Sequence, residues 1–289
     1  MEKRILGRTN IEVSIITFSG IVVKNTTSQK AAELVDLAID IGINYFDVAP
    51  IYGNAQYMLG PALEKYRKDI YLACKTEERT AEGSKKDLLE SLSALKTDYF
   101  DLYQFHGVDS FEEVETIFAE GGAMETFEWA LANGITKHIG FTCHHNEIAM
   151  EMFRRNDKFE TMLFPVNYAY RHKLNESVEP LIYCKENNIG VIAIKALAER
   201  AWRENERTDT DTTWYKPINN DPDLARIALN YTLTIDGVTT CPPPGNEAML
   251  RLAFDIIGNQ GGKPIVPTEQ DLKKLFDFAD TLSLDDMLF

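Results

Sequence analysis

Cysteine is scarce: four residues in 289, Cys74, Cys143, Cys184 and Cys241, with no CxxC pair among them. That spacing argues against a disulfide scaffold and a structural zinc site, and it predicts a reducing, cytoplasmic setting. Long apolar runs are missing too. None approaches the 18 residues a membrane-spanning helix needs, and the opening MEKRILGRTN has no apolar leader region. No membrane partner is therefore expected. Positive charge is in deficit, with 30 Lys and Arg against 45 Asp and Glu and a net charge of −15. This argues against non-specific attraction to nucleic acid or anionic lipid, while a small anionic ligand held by local charge stays allowed. With 44% hydrophobic and 26% charged residues, the composition is that of a globular chain and excludes a disordered or fibrous one.

What is present is a rhythm. Short apolar runs ending in a polar or charged residue alternate with amphipathic helical stretches. The runs are ITFSG (16–20), INYFD (43–47), IYLACK (70–75), YFDLYQFH (99–106), KHIGFT (137–142), TMLFPVN (161–167), GVIAIK (190–195) and GVTTC (237–241). Helical segments fall between them, for example AAELVDLAIDIG (31–42), KKDLLESLSAL (85–95) and AMETFEWALANG (123–134), the last stopping on Asn133-Gly134. Strands alternating with helices imply parallel βαβ units. Eight of them predict an α/β (β/α)8 TIM barrel, a fold of about 250 residues, and no linker breaks residues 1–289 into further domains. Residues 3–16 read as an N-terminal β-hairpin turning at Arg8-Thr9-Asn10, and TEQDLKKLFDFADTL (268–282) as an extra C-terminal helix. The long polar stretch 199–221, carrying Trp202, Trp214 and Tyr215, reads as a lid over the active face.

Chemistry in such a barrel sits at the C-terminal ends of the strands. Three successive runs end in Asp47, Lys75 and His106, and Tyr52 follows Asp47 by five residues. A phenol titrates near 10, too high for easy proton exchange at neutrality. A neighbouring ammonium stabilises the phenolate, and a carboxylate holds the ammonium. With a histidine to orient a carbonyl, this is a proton donor beside an electrophilic clamp, suited to reducing a carbonyl. The missing hydride must come from a cofactor.

FDVAPIYGNAQYMLGPAL (46–63) resembles the signature of the aldo-keto reductase superfamily, in which a catalytic tyrosine and then a glycine follow an aspartate. The resemblance runs over roughly residues 3–257 and includes LGRTNIEVS, the lysine of IYLACK and the histidine of DLYQFH. It implies that Tyr52 is the general acid/base, that Lys75 tunes it, that Asp47 holds Lys75 and that His106 positions the substrate carbonyl. It further implies a nicotinamide site. Ser19-Gly20 matches the turn near the ribose, and Thr142 and Cys143 stand where a serine-asparagine pair is common. Asn167 replaces a glutamine, Ile194 an aromatic residue, and Lys195-Ala196-Leu197 a serine-proline-leucine run. Pro-Gly followed by Asn246 opens a helix whose N-terminus suits a phosphate. Arg251 falls where an arginine meets a 2′-phosphate, Gly245 stands for a lysine, and Phe254-Asp255 for a glutamate-asparagine pair. The resemblance thus favours NADP(H) over NAD(H).

Cys143-His144-His145 carries metal-ligating atoms, but neighbours in one turn rarely converge on an ion, and no metal is expected. The predicted substrate is an aldehyde or ketone, or the corresponding alcohol. The Glu, Asp, Thr and Asn content of 199–221 hints at a sugar. The rival reading is a nucleotide-binding regulatory or partner-binding barrel with little turnover.

Overall fold

The computed structural model describes residues 1–208 and 212–287; positions 209–211 of the expected lid lie outside the described residues. The predicted hairpin is present: β1 (Lys3–Ile5) pairs antiparallel with β2 (Glu12–Ser14), Lys3 opposite Ser14. Among the described residues eight parallel strands then form one sheet. They are β3 (Phe18–Ser19), β4 (Tyr45–Asp47), β5 (Tyr71–Thr76), β6 (Phe100–Phe105), β7 (Thr136–Thr142), β8 (Thr161–Pro165), β9 (Gly190–Ile194) and, last in the chain, Val238–Thr240. The sheet closes on itself where Ile16 bridges Cys241, with Cys241 N–H donating to the Ile15 carbonyl at 2.9 Å. The result is the expected (β/α)8 barrel.

Each expected run became a strand, most with shorter ends, although β5 runs one residue further to Thr76 and β7 starts one earlier at Thr136. The sixth stops at Pro165, where Asn167 turns to cap the helix Tyr168–Leu174. Helices start earlier than the apolar stripe suggests. Ser28–Asp40 and Ala81–Ala94 begin at the caps Thr27 and Thr80, whose first turns are polar and carry no periodic signal. The C-terminal helix spans Glu269–Asp280 with a capping box at Thr268 and buries Leu275 and Ala279. Asp271 and Asp223 tie it to its neighbour through Arg226 at 2.8 Å and Lys274 at 2.9 Å. No helix among the described residues is long and apolar enough to cross a membrane.

Inside the barrel, strand alternation layers the side chains. Tyr45, Ala73, Leu102, Leu163 and Ile192 form one apolar cluster, and Leu6 and Val13 of the hairpin complete it. Leu6 lies so close to β9 that a Cβ on Gly190 would meet its Cδ1 at 2.6 Å. Two residues further along their strands, toward the C-terminal end, Tyr45, Ala73 and Leu102 are followed by Asp47, Lys75 and Gln104. The plugged floor and the polar mouth are thus successive layers of one interior.

The stretch 199–221 is not a structureless excursion. β10 (Ala198–Arg200) and β11 (Lys216–Pro217) pair antiparallel across it. Buried Arg200 holds Glu206 in a two-pronged ion pair at 2.6 Å. Truncating the plug should be costly: Leu6→Ala is expected to lower unfolding stability by about 2–5 kcal/mol, read by urea denaturation.

Candidate functional site

The barrel mouth brings together all four residues expected to carry the chemistry. Register sets Asp47 of β4 against Ala73 of β5, and Lys75 against Gln104 of β6. Lys75 Nζ forms a short ion pair with Asp47 Oδ2, and both are almost fully buried. Gln104 Nε2 donates to the other carboxylate oxygen at 3.3 Å. Tyr52 sits on the turn leaving β4, its N–H donating to the Ala49 carbonyl at 3.1 Å, with Gly53 next at φ 62°. Its ring centroid lies 5.5 Å from Lys75 Nζ, 5.9 Å edge-on from His106 and 5.7 Å from Trp214. Trp214 is half exposed, and the loop bearing it is latched by Trp202 Nε1 donating to the Thr213 carbonyl at 3.0 Å and by the Thr212 hydroxyl donating to the Gly245 carbonyl.

Burial dominates the protonation states. It pushes the Tyr52 phenol above its ordinary value, Asp47 adding to the shift, while Lys75 pulls down through its charge and a hydrogen bond. The sequence argument gave Lys75 the larger effect; loss of water around the ring outweighs it. Burial also raises the Asp47 carboxyl, against Lys75 and Gln104. For Lys75, burial works against the charged form, but the charge and hydrogen bond of Asp47 together with Tyr52 and Cys74 outweigh it, and the ammonium is held protonated. His106 lies well below the ordinary imidazole range through burial and the nearby charges of Lys75, Arg79 and His144.

These groups line one end of a cavity of about 380 Å³. Of the residues expected at the cofactor, Thr142, Ile194, Lys195 and Gly245 share its wall. Lys195 leaves β9 in the left-handed region, φ 67°, and burial brings its amine down to about 8. Gly20 adjoins Ser19, which lines the cavity; a Cβ there would strike Val48 at 2.8 Å. Others lie apart. Cys143 and Leu197 are buried in the core. The Asn167 amide is committed to backbone: Nδ2 donates to the Lys195 and Ala198 carbonyls at 3.0 and 3.1 Å, and Oδ1 accepts from Ala169 at 2.8 Å. Asn246 caps the helix Glu247–Asn259 by accepting from Met249 N–H at 2.9 Å. Arg251 is exposed and paired with Glu247 at 2.9 Å, Glu247 in turn holding Lys30 at 2.8 Å. Asp255 is exposed on that helix, and its neighbour Phe254 is buried.

His144 faces Asp109, Nδ1 at 3.1 Å, on the cavity wall. Among the described residues no group of three or more His, Cys, Asp or Glu converges as a metal site. Sequence reasoning missed Gln104, Glu77 and Asp109, all at the mouth. Gln104 was legible, since Leu102, Gln104 and His106 occupy alternate positions of one strand run.

Residues 18–243 match the Aldo/keto reductase family. Among curated proteins, the chain is 29% identical over 207 residues to the uncharacterized oxidoreductase YqkF of Bacillus subtilis (strain 168), covering 67% of this chain and 64% of that one. It is 30% identical over 216 residues to the L-galactose dehydrogenase of Arabidopsis thaliana, covering 68% and 66%. The matches thus span just under two thirds of these relatives' own lengths. An aldo-keto reductase from Bacillus halodurans, in its holo form, superposes with TM-score 0.72 at 22% identity, covering 100% of this chain and 98% of that one, a likeness of fold.

The buried pair can be tested directly. Lys75→Met strands the Asp47 carboxylate and should cost about 3–5 kcal/mol in urea unfolding, whereas adding Asp47→Leu should recover most of the loss.

Proposed function

This chain belongs to the aldo/keto reductase family of oxidoreductases, and on that premise we propose that it is an NADP(H)-dependent enzyme acting on an aldehyde or ketone, or the corresponding alcohol, with Tyr52 as general acid/base. The observation that carries this reading is the meeting of Tyr52, Lys75, Asp47 and His106 at one end of a single cavity whose wall continues to Lys195 and Gly245. A nicotinamide cofactor, when bound, supplies or accepts the hydride.

The residues present fit such a group. A buried cation, Lys195, lines the cavity, and the N-terminus of the helix Glu247–Asn259 follows Gly245. Together they suit a pyrophosphate. At Gly20 the backbone approaches Val48 so closely that only glycine is accommodated. Burial keeps the Tyr52 phenol protonated and ready to donate to a carbonyl oxygen. Lys75 steadies the phenolate that remains, Asp47 keeps Lys75 charged, and His106 orients the substrate. Trp214 packs against Tyr52 from the loop and Tyr215 lines the same cavity, which limits water around the oxygen that receives the proton. A polyhydroxylated carbonyl substrate accords with the Glu77, Asp109 and His144 groups on the wall and with the name of the L-galactose relative.

One observation favours a second reading, a nucleotide-binding regulatory barrel with little turnover. The Asn167 amide is already used by backbone groups, so it offers no open contact to a carboxamide. Tyr52→Phe separates the two. The reductase reading expects kcat against an aldehyde and ketone panel to fall by about a hundredfold to ten-thousandfold, with NADPH fluorescence titration still saturating. Binding of NADPH by the unaltered chain with no turnover of any panel member would favour the regulatory barrel.

Arg251 underlies the preference for NADP(H). A 2′-phosphate carries more charge than Glu247 and matches the guanidinium fork, so it would draw Arg251 away from that pair. Arg251→Ala is expected to weaken NADPH binding about tenfold and to leave NADH binding unchanged in parallel titrations.

A further inference from the structure

β6 ends at Phe105, so His106 stands one residue beyond the strand. Neighbouring strands still take up the N–H groups of this turn. His106 N–H donates to the Thr76 carbonyl at 2.8 Å and Val108 N–H to the Thr142 carbonyl at 2.8 Å, while Gly107 N–H donates to the Thr142 hydroxyl at 2.6 Å. The carbonyls have a different partner. Nη2 of Arg79 donates to the His106 carbonyl at 2.7 Å and to the Gly107 carbonyl at 2.9 Å. Gly107 lies in the left-handed region, φ 59°, and the two successive carbonyls converge on that one nitrogen.

Arg79 is itself held. Its side chain is 12% exposed, and Nε donates to Glu113 Oε1 at 3.0 Å. The other oxygen of Glu113 accepts from Asp109 N–H at 2.9 Å. One planar guanidinium and one carboxylate therefore join the loop after β5, the loop after β6 and the first turn of the helix Phe111–Phe118. The His106 ring, edge-on to Tyr52 at 5.9 Å, is attached to the backbone so clamped.

We propose that Arg79 is a positioning residue for the reaction, which fixes the imidazole of His106 relative to Tyr52 by binding the His106 and Gly107 carbonyls, with Glu113 locking the guanidinium in place. The inference rests on the reductase reading and adds a residue to it that touches neither substrate nor cofactor. A displacement of about 1 Å in a group that orients a substrate can cost about a hundredfold in rate. Arg79 acts on the rate through that geometry.

The guanidinium also acts through its charge. The groups facing the ring are Tyr52 from the turn after β4, Lys75 from β5, Glu77 and Arg79 from the loop after it, and Asp109 and His144 from the loops after β6 and β7. Oε1 of Glu77 stands 3.8 Å from Nδ1, beyond hydrogen-bond reach. Burial, Lys75, Arg79 and His144 disfavour the imidazolium, and Asp109 opposes them more weakly. Removing the Arg79 charge makes the imidazolium easier to form, so the titration of His106 moves upward.

Three variants of the full chain separate these effects: Arg79→Lys keeps the charge and loses the fork, Arg79→Gln loses both, and Glu113→Gln unlocks the guanidinium without touching it. Each is assayed for NADPH-dependent reduction of the panel member that the unaltered protein reduces fastest, and for NADPH binding. The His106 signal is titrated by ¹⁵N NMR and assigned by its loss in His106→Asn. Arg79→Lys is expected to lower kcat by about tenfold to a hundredfold, with KM and NADPH affinity little changed, and Glu113→Gln to lower it less. The His106 titration should stay low in Arg79→Lys and rise in Arg79→Gln. In a His106→Asn background Arg79→Lys should cost nothing further, because the two residues act as one unit. An unchanged kcat in Arg79→Lys and Glu113→Gln, or a loss that adds in full to that of His106→Asn, overturns the proposal. Absence of any turnover by the unaltered protein overturns the reductase reading instead, while an unmoved His106 signal in all three variants shows that Arg79 does not act on the histidine.

Discussion

Two opposite charges held out of water at the barrel mouth set the terms for the surrounding site. Removing an ammonium and a carboxylate from solvent costs several kcal/mol per ion, and only good mutual geometry with further hydrogen bonds offsets that. Asp47 meets the condition twice, with Lys75 on one oxygen and Gln104 on the other. Their positions come from parallel register across β4, β5 and β6, so the pair depends on the sheet being closed and plugged. The hairpin residue Leu6, at the far end of the barrel interior, belongs to the same chain of dependence.

Burial has a second consequence for the neighbours. The phenol of Tyr52 and the imidazole of His106 both shift toward their neutral forms, one upward and one downward. A neutral acid and a neutral base beside a fixed ammonium make a site able to move a proton without admitting bulk charge. The chain carries a net charge of −15, yet Lys75 and Lys195 line this cavity. The local field in a low-dielectric cleft is set by the nearest groups, and an overall acidic surface does not prevent the mouth from receiving an anionic ligand.

The long segment between β9 and the following helix ties the site to distant parts of the chain. Its base is braced by Arg200 and Glu206, and Arg203 reaches Asp286 near the C-terminus at 3.1 Å. Just before β11 it places Trp214 against Tyr52. Lys216 also reaches Glu199 at 3.2 Å and Glu206 at 3.5 Å, so charges at the base of the segment are paired with one another.

Strand order, strand tips and the family signature were legible from residues alone, because alternation and turn chemistry are local and repeat eight times along the chain. Asp47, Lys75 and His106 each end an apolar run, and Tyr52 follows at a short spacing, so their meeting was readable before any coordinates. Which partner each group would find was not. Asn167 has the composition of a ligand-binding amide, but the backbone turn at Lys195 consumes it. Lys75 could be assigned to Tyr52, but not the outcome of its contest with burial. Glu77, one of two adjacent glutamates in TEER, carries no mark in the sequence, and the register of β5 against β6 sets it beside His106. Such facts depend on segments far apart in sequence arriving at one point, and on how much water they exclude when they arrive. Neither quantity is written in any local pattern, so tertiary structure alone decided them.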